Sequence, residues 1–272
     1  MSIVDLDRLA HIVARERAQF AAATPFPHIV IDDLLDPDAL RAIVADFDMT
    51  SDAWTYWHHV NERKRGLQDR ARMSERTRAV VEALETPAFL RLMEELTGVG
   101  GLLADPHLDG GGLHEMLPGG FLNVHTDFLS HTIERSWRRE LNLLLFLNER
   151  WVPEHAGWLE LWNASMTACE RRIEPRFNRC VVFRTSATSF HGVPSHIACP
   201  PGDSRKSLAL YYFCETGRPL RLRPTHYVPR PEDGALQGAL IRADRLALRA
   251  YSFLKRYTPF GDAIVSKLLR RL

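Results

Sequence analysis

The chain has 272 residues, 45% hydrophobic and 25% charged, which suits one large globular domain or one domain with an appendage. A formal net charge of +1 gives no overall drive toward nucleic acid or a membrane surface. That sum hides a separation, because residues 218–272 hold 12 Lys/Arg against 4 Asp/Glu, about +8, and leave about −7 for the remainder.

In chain order, Leu6, Leu9, Ile12, Val13 and Phe20 recur near helical spacing, with Ser2 or Asp5 as cap, and predict an amphipathic helix over 4–20. Thr24-Pro-Phe-Pro breaks it, His28-Ile-Val-Ile reads as a short strand, and Pro37 opens a helix to about Phe47. Helices are expected over Ser74 to Leu84 and Thr86-Pro87 to Leu96, the latter ending at Gly98. Residues 1–100 therefore read as mostly helical.

From Leu102 the texture becomes short runs rich in Leu, Val, Phe and Trp, cut by Asp109-Gly-Gly-Gly and Pro118-Gly-Gly. Strands are expected at Leu113 to Leu117, Phe121 to Val124, Glu140 to Leu147, Trp158 to Trp162, Arg179 to Arg184 and Arg205 to Cys214. Such a series makes an antiparallel sandwich or barrel. After Gly217 a proline-containing basic connector leads to helical patterns over about Ala235 to Leu254 and Asp262 to Leu272. The division expected is one domain over 1–217, with helical support in 1–100 and a barrel core in 102–217, followed by a basic helical extension in 218–272.

Cys169, Cys180, Cys199 and Cys214 form no CxxC pair and read as reduced core residues. The opening MSIVDLDRLAHIVARERAQF mixes Asp, Arg and Glu into its apolar positions, unlike a signal peptide, and no segment reaches ~18 uninterrupted apolar residues. A soluble, cytoplasmic protein is expected.

The chemistry-bearing segment is Asn123-Val-His125-Thr-Asp127, at the end of an expected strand, with His191 following 64 residues after Asp127. Two histidines and one carboxylate can occupy one face of an octahedral ion and leave the opposite positions open, as iron(II) needs to take a cosubstrate and O2 together. In an extended chain residues 125 and 127 project from the same face. Taken alone the pattern is weak in a chain with 12 histidines and 34 acidic residues. Fourteen residues after His191 comes Arg205-Lys-Ser207-Leu-Ala-Leu-Tyr-Tyr-Phe, where Arg205, Ser207, Ala209 and Tyr211 share one face. A guanidinium fork with a hydroxyl two residues on suits the distal carboxylate of 2-oxoglutarate.

With Arg139-Glu-Leu-Asn-Leu-Leu-Leu-Phe-Leu-Asn148-Glu-Arg-Trp151 and Glu174-Pro-Arg-Phe-Asn-Arg-Cys-Val-Val-Phe183, these motifs resemble the Fe(II)/2-oxoglutarate oxygenase domain of the prolyl 4-hydroxylase-like group over residues 102–214. The segment beginning Pro25-Phe-Pro-His resembles the start of such domains. The resemblance implies a mainly β protein with flanking helices (α+β): a double-stranded β-helix, or jelly-roll barrel, with N-terminal supporting helices and a helical C-terminal extension. It implies Fe(II), 2-oxoglutarate and O2 as metal and cosubstrates, and hydroxylation of an unactivated C–H bond as the usual outcome. By position it places Phe183 beside the cosubstrate and Leu159 along its pocket. Where better-known members carry a tyrosine, this chain has Phe146, so that hydroxyl contact is lost or taken over by Ser207 or another group. Asn142 shares the Phe146 face and is expected to touch cosubstrate or substrate, while Asn123, Arg139 and Trp158 are candidate substrate contacts.

Other readings stay beside these. His58-His59 belongs either to a substrate lid or to plain packing, and His107 and His114-Glu115 read as structural. Phe128 to Arg138 is expected as a polar connection at the barrel mouth that sets substrate choice. A zinc hydrolase could use the same ligands but leaves Arg205-x-Ser207 unexplained, and a cupin-like module with a vestigial site conflicts with intact ligands. Desaturation or ring closure needs only a different position of the substrate radical, whereas halogenation is disfavoured by Asp127. A small-molecule metabolite, with natural-product tailoring as one setting, is preferred to a prolyl peptide. No nucleic-acid or membrane partner is expected, and a homodimer through the helical regions stays open.

Overall fold

The computed structural model describes residues 2–48, 52–221, 223–244 and 246. Four helices precede the barrel: α1 (Leu6–Ala22), α2 (Pro37–Val44), α3 (Glu75–Ala83) and α4 (Pro87–Thr97). Each starts where a side chain can satisfy the free N–H groups of a first turn. Asp5 accepts from the Arg8 N–H, Asp36 from Asp38 and Ala39, Ser74 from Thr77, and Thr86 from Phe89. Gly98 ends α4 in the left-handed region, at φ 70°.

Thirteen strands build one curled antiparallel sheet: β1 (His28–Asp32), β2 (Thr55–His59), β3 (Glu62–Leu67), β4 (Leu103–Ala104), β5 (Gly112–Met116), β6 (Phe121–Thr126), β7 (Trp137–Phe146), β8 (Leu159–Trp162), β9 (Cys169–Ile173), β10 (Arg179–Arg184), β11 (Phe190–Val193), β12 (Arg205–Glu215) and β13 (His226–Tyr227). The main path runs β1-β10-β7-β12-β5-β3-β6-β11-β8-β9, with β2 on β3, β4 on β12 and β13 on β6. This is the expected mainly β jelly roll with flanking helices.

Strand alternation decides what faces where. On β7, Leu141, Leu143 and Leu145 join Leu208, Leu210 and Tyr212 of β12 and the apolar stripes of the helices in one core outside the sheet. The alternate residues Asn142, Leu144 and Phe146 face the concave side. There Phe146, Val181 and Phe183, from one end of the strand path, pack with Leu159, Leu161 and Ile173 from the other. The two ends of the sheet therefore meet, and the concave side is closed.

The helical reading of residues 1–100 holds for α1 to α4 but misses the β2–β3 hairpin. Tyr56-Trp-His-His and Glu62-Arg-Lys-Arg carry little apolar alternation, because β3 is held by pairing with both β5 and β6. Gly112, at φ 94°, makes that insertion possible: a Cβ there would sit 2.2 Å from the Leu67 carbonyl oxygen. Phe128 to Arg138 is shorter as a connection than expected, since β7 begins at Trp137 and draws Arg138 and Arg139 into the sheet. Residues 235–244 are helical. The rest of the pattern expected to Leu254, and that over Asp262 to Leu272, lies outside the described residues. Among the described residues no helix is long and apolar enough to cross a membrane.

Candidate metal centre and its pocket

β6 and β11 are antiparallel neighbours, and their register sets His125 opposite His191. The two imidazole rings lie 4.5 Å apart, centroid to centroid. Asp127, two residues beyond His125, turns its carboxylate to both: His125 Nε2 is 3.6 Å from Oδ1 and His191 Nε2 is 3.4 Å from Oδ2. The three ligand atoms lie within 4.8 Å of one another. For bonds of about 2.1 Å an octahedral face has edges of about 3 Å, so an ion seated between these atoms would draw them closer together.

The surroundings fix the ligands in a metal-ready state. His125 Nδ1–H donates to the Asn123 carbonyl (2.8 Å) and His191 Nδ1–H to that of Ser189 (3.0 Å), which leaves each Nε2 with its lone pair facing Asp127. Burial pushes the His191 imidazole down to about 4, so the neutral form is kept. Burial works the other way on Asp127, but the Arg139 guanidinium and the two imidazoles outweigh it and hold the carboxyl well below the usual range. Asn142 Nδ2 donates to Asp127 Oδ2 (2.7 Å), and Arg139 Nη2 stands 3.2 Å from the same oxygen, while Arg139 Nε donates to Asn142 Oδ1 (2.7 Å). Two imidazoles and a carboxylate, each braced from behind, fit a divalent iron.

These ligands open into a cavity of about 200 Å³. Arg205, Ser207, Leu159, Leu144 and Phe146 line one part of it. Arg205 is only 4% exposed; its Nε donates to the Gly157 carbonyl (2.7 Å), and its guanidinium carbon sits 4.9 Å from the centre of the Phe146 ring. Among the described residues no carboxylate compensates it, and burial pulls the guanidinium down to about 10. A bare buried cation beside a hydroxyl is the arrangement a dicarboxylate's far end would complete. Phe146, in place of a tyrosine, gives the guanidinium a ring rather than a hydroxyl.

Of the other sequence candidates, Asn142 and Arg139 line the cavity and reach Asp127 directly. Phe183 lies beneath it, edge-on to His191 with centroids 4.7 Å apart, and so braces the ligand from the core side. Asn123 turns away, donating to the Val60 carbonyl and Asn61 Oδ1 (both 3.2 Å) and tying β6 to the hairpin turn. Trp158 is half-buried and outside the lining, since strand alternation sends Leu159 inward in its place.

Several cavity residues were given no site role by the sequence. Trp57, Glu62 and Lys64 come from the hairpin, Tyr211 from the far end of β12, and Thr225 and Tyr227 from the connector after the barrel. Lys64 Nζ is 3.1 Å from Glu62 Oε2, and His59 Nε2 is 3.0 Å from Oε1 while its Nδ1 is 3.2 Å from Asp244 Oδ2. His58 is exposed, so the pair splits between two faces. His114 also lines the cavity instead of serving packing alone; its Nε2 is buried without a hydrogen-bond partner. Glu115 does serve structure, pairing with Arg65 and accepting from Ser204 Oγ (2.5 Å). Only the inward alternation on β12 could have flagged Tyr211; the hairpin and connector residues enter through tertiary placement.

Residues 111–213 match the family model of the 2OG-Fe(II) oxygenase superfamily. Similar solved structures include a prolyl-4-hydroxylase from Pseudomonas putida, 19% identical with a TM-score of 0.56, covering 76% of this chain and 99% of that one. A prolyl hydroxylase from Trichoplax adhaerens, in complex with a hypoxia inducible factor oxygen degradation domain peptide fragment, is 15% identical with a TM-score of 0.51 and covers 76% and 90%. HygX from Streptomyces hygroscopicus, with nickel and 2-oxoglutarate bound, is 12% identical with a TM-score of 0.50 and covers 79% and 96%. At these identities the likeness is one of fold. No curated protein matches the chain in sequence.

Proposed function

We propose that the chain is a 2OG-Fe(II) oxygenase of the prolyl 4-hydroxylase-like group, an oxidoreductase working with Fe(II), 2-oxoglutarate and O2, and that it hydroxylates an unactivated C–H bond of a small-molecule metabolite. The observation that carries the reading is a buried guanidinium without a facing acid among the described residues, Arg205, in the same cavity as His125, Asp127 and His191. Iron(II) bound there supplies, with 2-oxoglutarate and O2, the oxidising power to remove a hydrogen atom and deliver one oxygen to carbon, the second oxygen leaving in succinate alongside CO2.

The protein's own part is positioning. His125 and His191 present Nε2, Asp127 presents Oδ1 while Asn142 and Arg139 hold Oδ2, and Arg205 with Ser207 receives the distal carboxylate of 2-oxoglutarate. Leu144 and Leu159 keep the chain of that cosubstrate in apolar surroundings. Desaturation or ring closure would use the same site with a different substrate pose.

A small substrate is favoured by the mouth of the cavity. The β2–β3 hairpin crosses one side and the connector carrying Thr225 and Tyr227 crosses another, and His59 and Asn61 both bond Asp244 of the helix that follows. An extended peptide would have to displace that latch, whereas a compact metabolite need not. The four unpaired cysteines support a reducing, cytoplasmic setting. We further propose that residues 1–217 form the catalytic domain and that residues 218–272 are a basic extension of it. Measuring succinate and CO2 from 2-oxoglutarate with added Fe(II) tests the function; absence of both would overturn it, and a zinc hydrolase would give neither.

A further inference from the structure

Among the described residues the charged groups lining the cavity are Glu62 and Asp127 against Lys64, Arg139 and Arg205. Glu62 and Lys64 neutralise each other at 3.1 Å. Arg205 is matched once the distal carboxylate of the cosubstrate arrives. A divalent ion is matched by Asp127 together with the cosubstrate's other carboxylate. Arg139 is then left over, because the one carboxylate it faces is the ligand the dication claims. Its side chain is 1% exposed, and Nη1 has no hydrogen-bond partner among the described residues. A buried cation within a few ångströms of a dication needs an anion of its own.

The geometry around Arg139 suits a carboxylate. The guanidinium lies flat on the Tyr211 ring, 3.3 Å from its centre, with Phe128 beside it at 4.8 Å. Nε donates to Asn142 Oδ1, and Nη2 stands 3.2 Å from Asp127 Oδ2 without a hydrogen bond, so both terminal nitrogens, Nη1 with no facing acid at all among the described residues, are buried and unpartnered. Tyr211 OH donates to the Gly110 carbonyl (3.0 Å), which locks that ring as a platform. Lys64, packed on Trp57 with 5.2 Å to the ring centre, adds a second cation at the same end, and the unpartnered Nε2 of His114 adds a polar group.

We propose that the organic substrate is a small carboxylic acid, its carboxylate held at the free edge of Arg139 beside Lys64 and Tyr211. This rests on the oxygenase reading and narrows it: an internal peptide segment has no such group, so this end of the cavity selects a free acid over a peptide backbone. With the carboxylate fixed there, the carbon chain projects along Tyr211 toward the metal ligands.

The test uses the full chain loaded anaerobically with Fe(II) and saturating 2-oxoglutarate, titrated calorimetrically with acetate, 3-methylbutanoate and phenylacetate, each against its primary amide. At least one acid should bind tenfold or more tightly than its amide, and Arg139→Gln should remove that preference. Because a buried arginine variant can fail to fold, the acid-to-amide ratio in the unmodified protein decides on its own, and Arg139→Lys should keep part of the preference. Equal binding of acids and amides, no binding of any acid, or loss of acid binding as 2-oxoglutarate is raised overturns the proposal; the last would place the acids in the cosubstrate site. If 2-oxoglutarate itself fails to bind the Fe(II) protein while the acids do, the oxygenase reading falls instead.

Discussion

Arg205 and Arg139 are two buried arginines in one cavity, and they are held in opposite ways. Arg205 meets only a backbone carbonyl and the Phe146 ring, with no acid near it. Arg139 is wired to Asn142 and Asp127 and stacked on Tyr211. The first faces no acid of the protein among the described residues; the second faces Asp127, a candidate metal ligand, yet keeps its terminal nitrogens without hydrogen-bond partners. A buried charge therefore carries functional information through what it lacks as much as through where it sits.

The harshest test of that contrast removes the carboxylate between metal and frame. Asp127→Ala should reduce 2-oxoglutarate turnover by about a thousandfold or more, since an open iron site of this kind needs its third protein ligand. It should also destabilise the metal-free protein by about 3 kcal/mol, because Arg139 loses its only facing acid; succinate release and urea unfolding read the two effects. Next, Arg139→Met should cost the metal-free protein about 2–4 kcal/mol, whereas Arg205→Met should change its stability by less than about 1 kcal/mol yet weaken 2-oxoglutarate binding by about 2–3 kcal/mol. Equal losses of stability in the two variants would erase the distinction.

A milder change is Asn142→Leu, which frees Asp127 Oδ2 on one side; metal affinity by titration should fall about 10–100-fold. The smallest effect concerns pH. Burial first, and Lys64 second, push the His114 imidazole down to about 3, so above about pH 6.5 it is neutral both folded and unfolded. Between pH 6.5 and 3 the unfolded chain takes up a proton that the folded one refuses, so stability falls on acidification by about 1.4 kcal/mol per pH unit from this group. His114→Gln should flatten that slope in urea unfolding between pH 7 and 5, and an unchanged slope would show that His114 is not held neutral.

How much of this could be read from the chain follows from how local each signal is. The period of two set His125 and Asp127 on one face, and the same rule on β12 set Arg205, Ser207 and Tyr211 together. Capping residues and helical spacing located α1 to α4 to within a few residues. The roles of Asn123 and Trp158 were not legible, since a bulge, a turn or one step of alternation redirects a side chain without altering composition.

The sequence by itself determined the strand-borne ligand pair, the second histidine, the arginine-and-hydroxyl face and the helices, because each is a periodicity or a short spacing carried within one element. Only the tertiary structure decided that β6 and β11 bring His125 against His191, that a polar hairpin and a post-barrel connector line the cavity, and that Arg205 faces no acid among the described residues while Arg139 faces Asp127. Those facts depend on which strands pair across long stretches of chain and on how water is excluded between them, and no local pattern of residues encodes either.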